Sequence, residues 1–377
     1  MVRLLHLSLR HFRTFPSLEV DLSEGLTFFW GANAQGKTNL LEAAYLLALT
    51  KSPRARSEQE LISFSALQQG EGWGRVEGTF RRQSGEELRV RIDLFLRPSA
   101  PGGSSFAKQV RVNGVLCPAT QAVGLAPMVL FQAEDIGMVL GPPAARRRWL
   151  DVLLCLTDRR YLLSLQRYQP LLARRNRLLK AQADPHQLAY WDREVCAEGG
   201  RITAARLAAL RALARAVADA YRRLAGEEEV EVEYRWGGEA STPPTPEAVA
   251  AVLARRMEAL RPREMALGQT LVGPHRDDIA LRVEGKEASF ASRGQARCLA
   301  LALRLAEMEY IRQVTHEPPI LLLDDALSEL DARRRRLLLE RAQGVEQVLL
   351  TSTHRDDVPV PGHRRFRVEK GALLPDP

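Results

Sequence analysis

The chain has 377 residues with 54 basic and 46 acidic side chains, a formal charge of +8. A composition of 45% hydrophobic and 27% charged residues fills a sizeable core and excludes general disorder, and the length leaves room for two domains or one large split domain. No apolar run reaches the roughly 18 residues of a membrane helix, and Arg3, His6, Arg10 and Arg13 break up the segment where a secretory signal is apolar, so a soluble, cytoplasmic protein is expected.

Cys117, Cys155, Cys196 and Cys298 are scattered, with no CxxC pair, and suggest neither a zinc site nor a disulfide framework. Only six of the basic residues are lysine, and the arginine excess suits phosphate recognition and genomic base composition equally.

In chain order, strands are predicted at Leu4–Leu9, Leu18–Leu22, Leu26–Trp30, Trp73–Phe80, Leu88–Leu96 and Val110–Val112, with a Gly/Ser-rich turn at Pro98–Ser105. One helix, Lys37–Leu49, interrupts them. From Pro142 to Ala225 the pattern changes to about three long helices rich in Leu, Ala and Arg. These 84 residues carry 17 basic and 7 acidic side chains, a net +10 that leaves −2 for the rest. A positive excess confined to one element suits a polyanion-binding surface, and a solvated helix face would have the same composition.

A strand is predicted at Glu227–Trp236, followed by a Pro-rich loop at Thr242–Pro246 and a helix at Glu247–Leu260. Strands at Leu271–Val272, Ile279–Val283, Ile320–Leu323 and Val345–Thr351 then alternate with helices at Gly294–Ile311 and Asp331–Ala342. This is an α/β pattern with buried parallel strands.

Gly31, Ala32, Asn33, Ala34, Gln35, Gly36, Lys37 and Thr38 match GxxxxGK[ST] between an apolar strand and a helix that continues with Asn39. The glycines let backbone wrap a phosphate chain, and the helix offers its N-terminal amides. Lys37 is positioned for the β- and γ-phosphates of ATP and Thr38 for Mg²⁺. A carboxylate must complete that metal site, and Ile320–Leu323 ends in Asp324 and Asp325, acids that are costly in a core without a cation or partner. Asp324 is the metal-side candidate, through Thr38 or water, and Asp325 the candidate for polarising the attacking water. Ser292, Gly294 and Gln295 open a long amphipathic helix and suit either a second anion site or a helix cap.

The order of these elements, closed by SELD at Ser328–Asp331, resembles ABC-type ATPases. In that superfamily the serine and glycine of one subunit cover the nucleotide of another, which implies a homodimer bridged by ATP and Mg²⁺, with Asp331 at the nucleotide and Gln132 as a metal-side glutamine. His354, in TSTH, suits either a γ-phosphate sensor or a surface histidine.

More specifically, LSLRHFRTF, GANAQGKTNLLEAAYLLALTKSPRARSEQELI, VLFQAEDIGMVLGPPAARRRWLD, RYQPLLARRNRLLK, LVGPHRDDIAL, SRGQAR and ILLLDDALSELDARR resemble, in order, the RecF family of bacterial recombination mediators. Trp30 departs from that family's usual acidic or polar residue, and Gln132-Ala133 from its Ser-Pro. The resemblance implies an ABC-type ATPase head like those of Rad50 and SMC proteins, formed by 1–141 and 227–377, with an α-helical arm at 142–226 too short for a coiled coil. It also implies an ATP-bound dimer that clamps double-stranded or gapped DNA in the nucleoid, releases it on slow hydrolysis, and works with RecO and RecR to load RecA on DNA coated by single-strand-binding protein.

Two alternatives share part of this pattern. A transporter's nucleotide-binding subunit places its signature much closer to the P-loop than the 255 residues between Lys37 and Ser292. A small-molecule kinase leaves the serine-glycine-glutamine element without a role.

Overall fold

A computed structural model describes residues 2–99, 103–226, 228–237, 245–328, 330–343, 345–357 and 364–376. Residues 100–102 of the predicted turn, Glu227, residues 242–244 of the Pro-rich loop and Glu329 of SELD lie outside the described residues. The chain forms two compact units, Met1–Asp135 with Glu307–Pro377, and Ile136–Ala306. The second takes in more than the helical 142–226, adding the strand Val230–Arg235, the helix Pro246–Leu267 and the strand Asp278–Val283.

In the first unit, alternating segments make an antiparallel sheet in the order Phe15–Asp21, Arg3–Phe12, Trp73–Arg81, Glu87–Ser99, Gly103–Val112, Val115–Cys117. Its first three strands alternate between core and surface, as a sheet with one covered face must.

A second six-stranded sheet runs Ala372–Asp376, Arg364–Glu369, Gly25–Trp30, Gln347–Ser352, Ile320–Asp324, Met128–Gln132, parallel except for Ala372–Asp376. Every residue of Ile320–Asp324 and Gln347–Ser352 is buried, the signature of parallel strands covered on both faces. The helix Lys37–Leu49 touches strands of both sheets and is apolar nearly all round, so it sits in a core rather than on a surface. Gln347 ties the sheets together: its buried amide accepts from the Leu4 N–H at 2.8 Å and donates to the Leu4 carbonyl at 2.7 Å, as a strand residue would.

The three helices of the insertion are Pro143–Thr157, Arg159–Lys180 and Pro185–Ala225. Asp158 caps the second, accepting from the Arg160 and Tyr161 N–H groups, and Asp184 caps the third just before Pro185. Within this unit Arg175 is fully buried, donating to Asp192, Glu264 and Thr270 at 2.6–2.7 Å. Arg206 is likewise buried, and bonds Asp151, Tyr161, Tyr234 and the Pro274 carbonyl. Breaking either set strands a buried charge, a loss of about 3–5 kcal/mol.

Four sequence expectations differ from this structure. Leu271–Val272 is loop, because Gly273 at φ +126 and Pro274 turn the chain there. Two short helices, Phe64–Gln68 and Ala119–Ala122, join Lys37–Leu49 in the N-terminal third. Arg364–Glu369 and Ala372–Asp376 are strands that the sequence does not announce, since the first carries three arginines and is only partly buried. Met128–Gln132 is too short a run to separate from a helix by periodicity.

Candidate nucleotide-binding site

The carboxyl ends of four parallel strands converge in the first unit. Register sets Asp324 beside Gln132 on one side and beside Thr351 on the other, while Ser352 pairs with Trp30 at the entrance to the P-loop. A crevice beyond such strand ends is where open α/β sheets bind ligands.

The loop Gly31–Gly36 rises from the strand, with Ala32, Asn33 and Ala34 exposed at its crest. Gly36 has φ +112, and a Cβ there would meet Thr14 Oγ1 at 2.7 Å, so only glycine fits. The Gln35 carboxamide oxygen accepts from the Lys370 N–H at 2.7 Å, and Asn39 donates to Thr14 Oγ1 at 3.1 Å, bracing the loop from both sides. Gly36 caps the helix Lys37–Leu49 without a side-chain bond, which leaves first-turn amides open to an anion.

Lys37 Nζ donates to the Gly31 carbonyl at 2.7 Å and to the Ala32 carbonyl at 2.8 Å. Burial lowers its pKa, partly offset by Asp325 and Asp324. Thr38 Oγ1 donates to Asp324 Oδ1 at 2.9 Å, and Thr351 Oγ1 donates to the same oxygen at 2.9 Å. Thr351 in turn accepts from the Asp325 N–H at 3.0 Å. Burial raises the Asp324 pKa against the lowering effect of Thr351, Thr38 and Arg54.

Asp325 adopts φ +49, a strained conformation for a non-glycine residue. Its Oδ1 is buried with no hydrogen-bond partner, and so is Oε1 of Gln132. Two orphaned oxygens beside Asp324 are costly unless a cation or ordered water meets them, and that donor set fits a magnesium ion brought by nucleotide.

The other predicted residues lie apart in sequence and have their own local roles. Ser292 and Gln295 form a reciprocal cap on the helix Arg293–Thr315: the Gln295 N–H donates to Ser292 Oγ at 3.2 Å, and the Ser292 N–H to Gln295 Oε1 at 3.0 Å. Gln295 Nε2 also reaches Glu228. Ser292 stays exposed, and a Cβ on Gly294 would meet nothing closer than 3.9 Å, so another group has open approach. Asp331 caps Ala332–Gln343, accepting from the Arg334 N–H at 2.9 Å. His354 is exposed.

Trp30 packs under Arg367, and its indole N–H donates to Asp376. Of the clustered arginines, Arg146 forks onto Asp278 at 2.9 and 3.0 Å and Arg147 donates to the Asp277 carbonyl, so both are engaged within the unit.

Sequence reasoning missed Arg54, Thr351 and Glu134. Arg54 donates to Asp324 Oδ2 at 3.0 Å and to Glu134 Oε1 at 2.6 Å. A threonine closing an apolar strand beside LLLDD was a usable signal for Thr351, whereas a loop arginine in SPRARS carries none.

Residues 3–370 match the family described as the RecF/RecN/SMC N terminal domain. The chain is 38% identical to the DNA replication and repair protein RecF of Chloroflexus aggregans over 98% of both chains, and 38% identical to that of a Synechococcus species over 100% of this chain and 98% of the relative. A solved structure of the recombination mediator RecF with ATP superposes at TM-score 0.88 and 29% identity, covering 100% of this chain and 99% of that one. An Smc head domain from Pyrococcus furiosus shares the fold at TM-score 0.56 and 15% identity, covering 100% and 96%. With an ABC-type ATPase head fold and full-length similarity on both counts, the chain belongs to the RecF family.

Proposed function

We propose that this chain is an ATP-switched DNA clamp acting in recombinational repair and replication. The observation that carries the reading is the P-loop threonine bonded to Asp324 at the carboxyl ends of the parallel strands, with the P-loop lysine held on the carbonyls of its own loop. The ATP-bound state of a structurally similar RecF supports ATP as the nucleotide.

Among the described residues no three His, Cys, Asp or Glu side chains could hold a metal by themselves, so the ion depends on nucleotide phosphates for part of its shell. Thr38 and Asp324 would hold it, with Gln132 beside them. When bound, magnesium neutralises charge on the β- and γ-phosphates. Lys37 adds its ammonium to the same charge, and Asp325 Oδ1 orients a water for attack on the γ-phosphate.

In this reading Ser292, Gly294 and Gln295 of one copy close over the nucleotide of a second copy, and Asp331 lines the same junction. ATP therefore binds the closed dimer more tightly than the open monomer, favouring the closed form by mass action, and hydrolysis removes the bond that keeps it shut. The closed pair would grip double-stranded or gapped DNA through the basic insertion. The similar solved protein acts in the RecFOR pathway, which supports RecO and RecR as partners; in this reading RecA and single-strand-binding protein act downstream.

Fluorescence anisotropy with a labelled gapped duplex tests this directly. Affinity should rise when a slowly hydrolysed ATP analogue and magnesium are added; equal affinity with and without nucleotide would count against the clamp.

A further inference from the structure

Arg54 sits where a surface-loop arginine has no obvious business. Its guanidinium bridges Oδ2 of the buried Asp324 at 3.0 Å and Oε1 of the exposed Glu134 at 2.6 Å. Asp324 Oδ1 is already filled by the hydroxyls of Thr38 and Thr351, each at 2.9 Å. Oδ2 is therefore the oxygen left to receive a metal-bound water, and it is the one that Arg54 holds.

The loop that carries Arg54 is itself anchored to the P-loop helix. The Arg54 and Ala55 N–H groups donate to Ser52 Oγ at 3.0 and 2.8 Å, and Ser52 Oγ donates to Glu42. Glu42 is buried on the helix Lys37–Leu49, and Arg13 forks onto it at 2.8 and 2.9 Å. The segment is thus fixed at Ser52, while the Arg54 side chain reaches from this fixed point to the carboxylates.

We propose that Arg54 is the exchangeable counter-ion of the metal-side carboxylates: it competes with magnesium for Asp324 Oδ2 and leaves when the ion arrives with nucleotide. The proposal rests on the reading of Lys37, Thr38 and Asp324 as the nucleotide site. A guanidinium and a divalent cation are like charges drawn to one carboxylate, and Asp324 has no second free oxygen with which to serve both. Thr38 can keep its bond to Asp324 throughout, because its hydroxyl donates a proton there while a lone pair faces the metal. Displaced Arg54 keeps Glu134 as an exposed partner, so leaving does not strand a buried charge. Metal arrival is in this way coupled to movement of the segment 53–57.

The test is a magnesium titration of mant-ATP binding to the full-length protein, with wild type, Arg54→Ala and Arg54→Lys compared. Arg54→Ala should lower the magnesium concentration at half-saturation by roughly 3- to 10-fold, as expected for removal of a partly exposed competing charge, while binding in EDTA stays as in wild type. Arg54→Lys should fall between them. In wild type, amide exchange in residues 53–57 should rise with magnesium and nucleotide together but not with nucleotide in EDTA. An unchanged magnesium midpoint in Arg54→Ala would make Arg54 merely structural and overturn the proposal. A loss of nucleotide affinity of equal size with and without magnesium would make it a phosphate ligand and overturn it too. Failure of the wild-type protein to bind mant-ATP at all would instead remove the nucleotide site on which the proposal rests.

Discussion

Thr38 Oγ1 donates a hydrogen bond of 2.9 Å to Asp324 Oδ1 across 286 residues of sequence. The bond joins the start of the P-loop helix to the end of a fully buried strand, so the proposed metal side is assembled from both chain ends. Asp324→Asn preserves an acceptor for Thr38 and Thr351 but removes the charge. Nucleotide binding in EDTA should be retained, magnesium should no longer strengthen it, and hydrolysis should fall by roughly 10²- to 10³-fold. Equilibrium binding and single-turnover hydrolysis measure the two effects separately.

Lys37→Met should abolish tight nucleotide binding while leaving the fold intact. The ammonium donates to two carbonyls of its own loop, those of buried Gly31 and exposed Ala32, and its loss should move the thermal midpoint by only a few degrees. Retained ATP affinity in this variant would remove the assignment of the P-loop.

Ser292 has a local duty as a helix cap as well as its proposed duty across a dimer, and substitutions separate them. Ser292→Ala should cost about 0.5–2 kcal/mol of stability, and Ser292→Asn much less because asparagine also caps. Ser292→Arg should block nucleotide-dependent dimers while sparing nucleotide binding by the monomer. Should it abolish that binding, the trans-acting role is wrong.

The loop Gly273–Asp278 carries two groups with opposite pH dependence. His275 Nε2 faces the Thr270 carbonyl, which fixes the proton there and lets Nδ1 accept from Tyr168; burial lowers its pKa to about 4, against the bond to Thr270. Its stabilisation is present above the unfolded value of about 6.5 and is lost as pH falls through about 4. Asp277 accepts from Tyr234 and Thr203 near Arg206, yet burial raises its pKa to about 6. Its contribution is present below about 3.9 and is lost as pH rises through about 6. The two nearly cancel between pH 4 and 6. Asp277→Asn should therefore unmask stability that rises over that window, by on the order of 3 kcal/mol, and His275→Gln stability that falls. Urea midpoints at half-unit pH steps resolve the two slopes.

DNA affinity should fall linearly on a log–log salt plot, because phosphate contacts release counterions. Arg215 and Arg223 are exposed on the helix Pro185–Ala225 and are better candidates for that contact than Arg146 and Arg147, which are engaged within the unit. Replacing each with glutamine should reduce the salt slope by about one without changing sequence preference.

What was legible in the sequence follows from period and chemistry. The helix Lys37–Leu49 was readable to the residue because a glycine-rich turn starts it and an unbroken apolar face fills it. Asp324 and Thr38 were readable as partners because a buried carboxylate after an apolar strand demands a cation or donor. Thr351 was harder: its role depends on strand register, which local pattern does not set for a strand buried on both faces. Arg54 was invisible, since its loop has no period and its partners are 80 and 270 residues away. Arg364–Glu369 was hidden by its three arginines, which break the apolar pattern of a buried strand.

Sedimentation velocity with a gapped duplex reports whether ATP joins two copies into the DNA-gripping form. The protein should sediment as monomers without nucleotide and as dimers on the duplex with a slowly hydrolysed ATP analogue and magnesium, reverting to monomers in Lys37→Met. Monomers that stay single under saturating analogue while binding the duplex with undiminished affinity would contradict it.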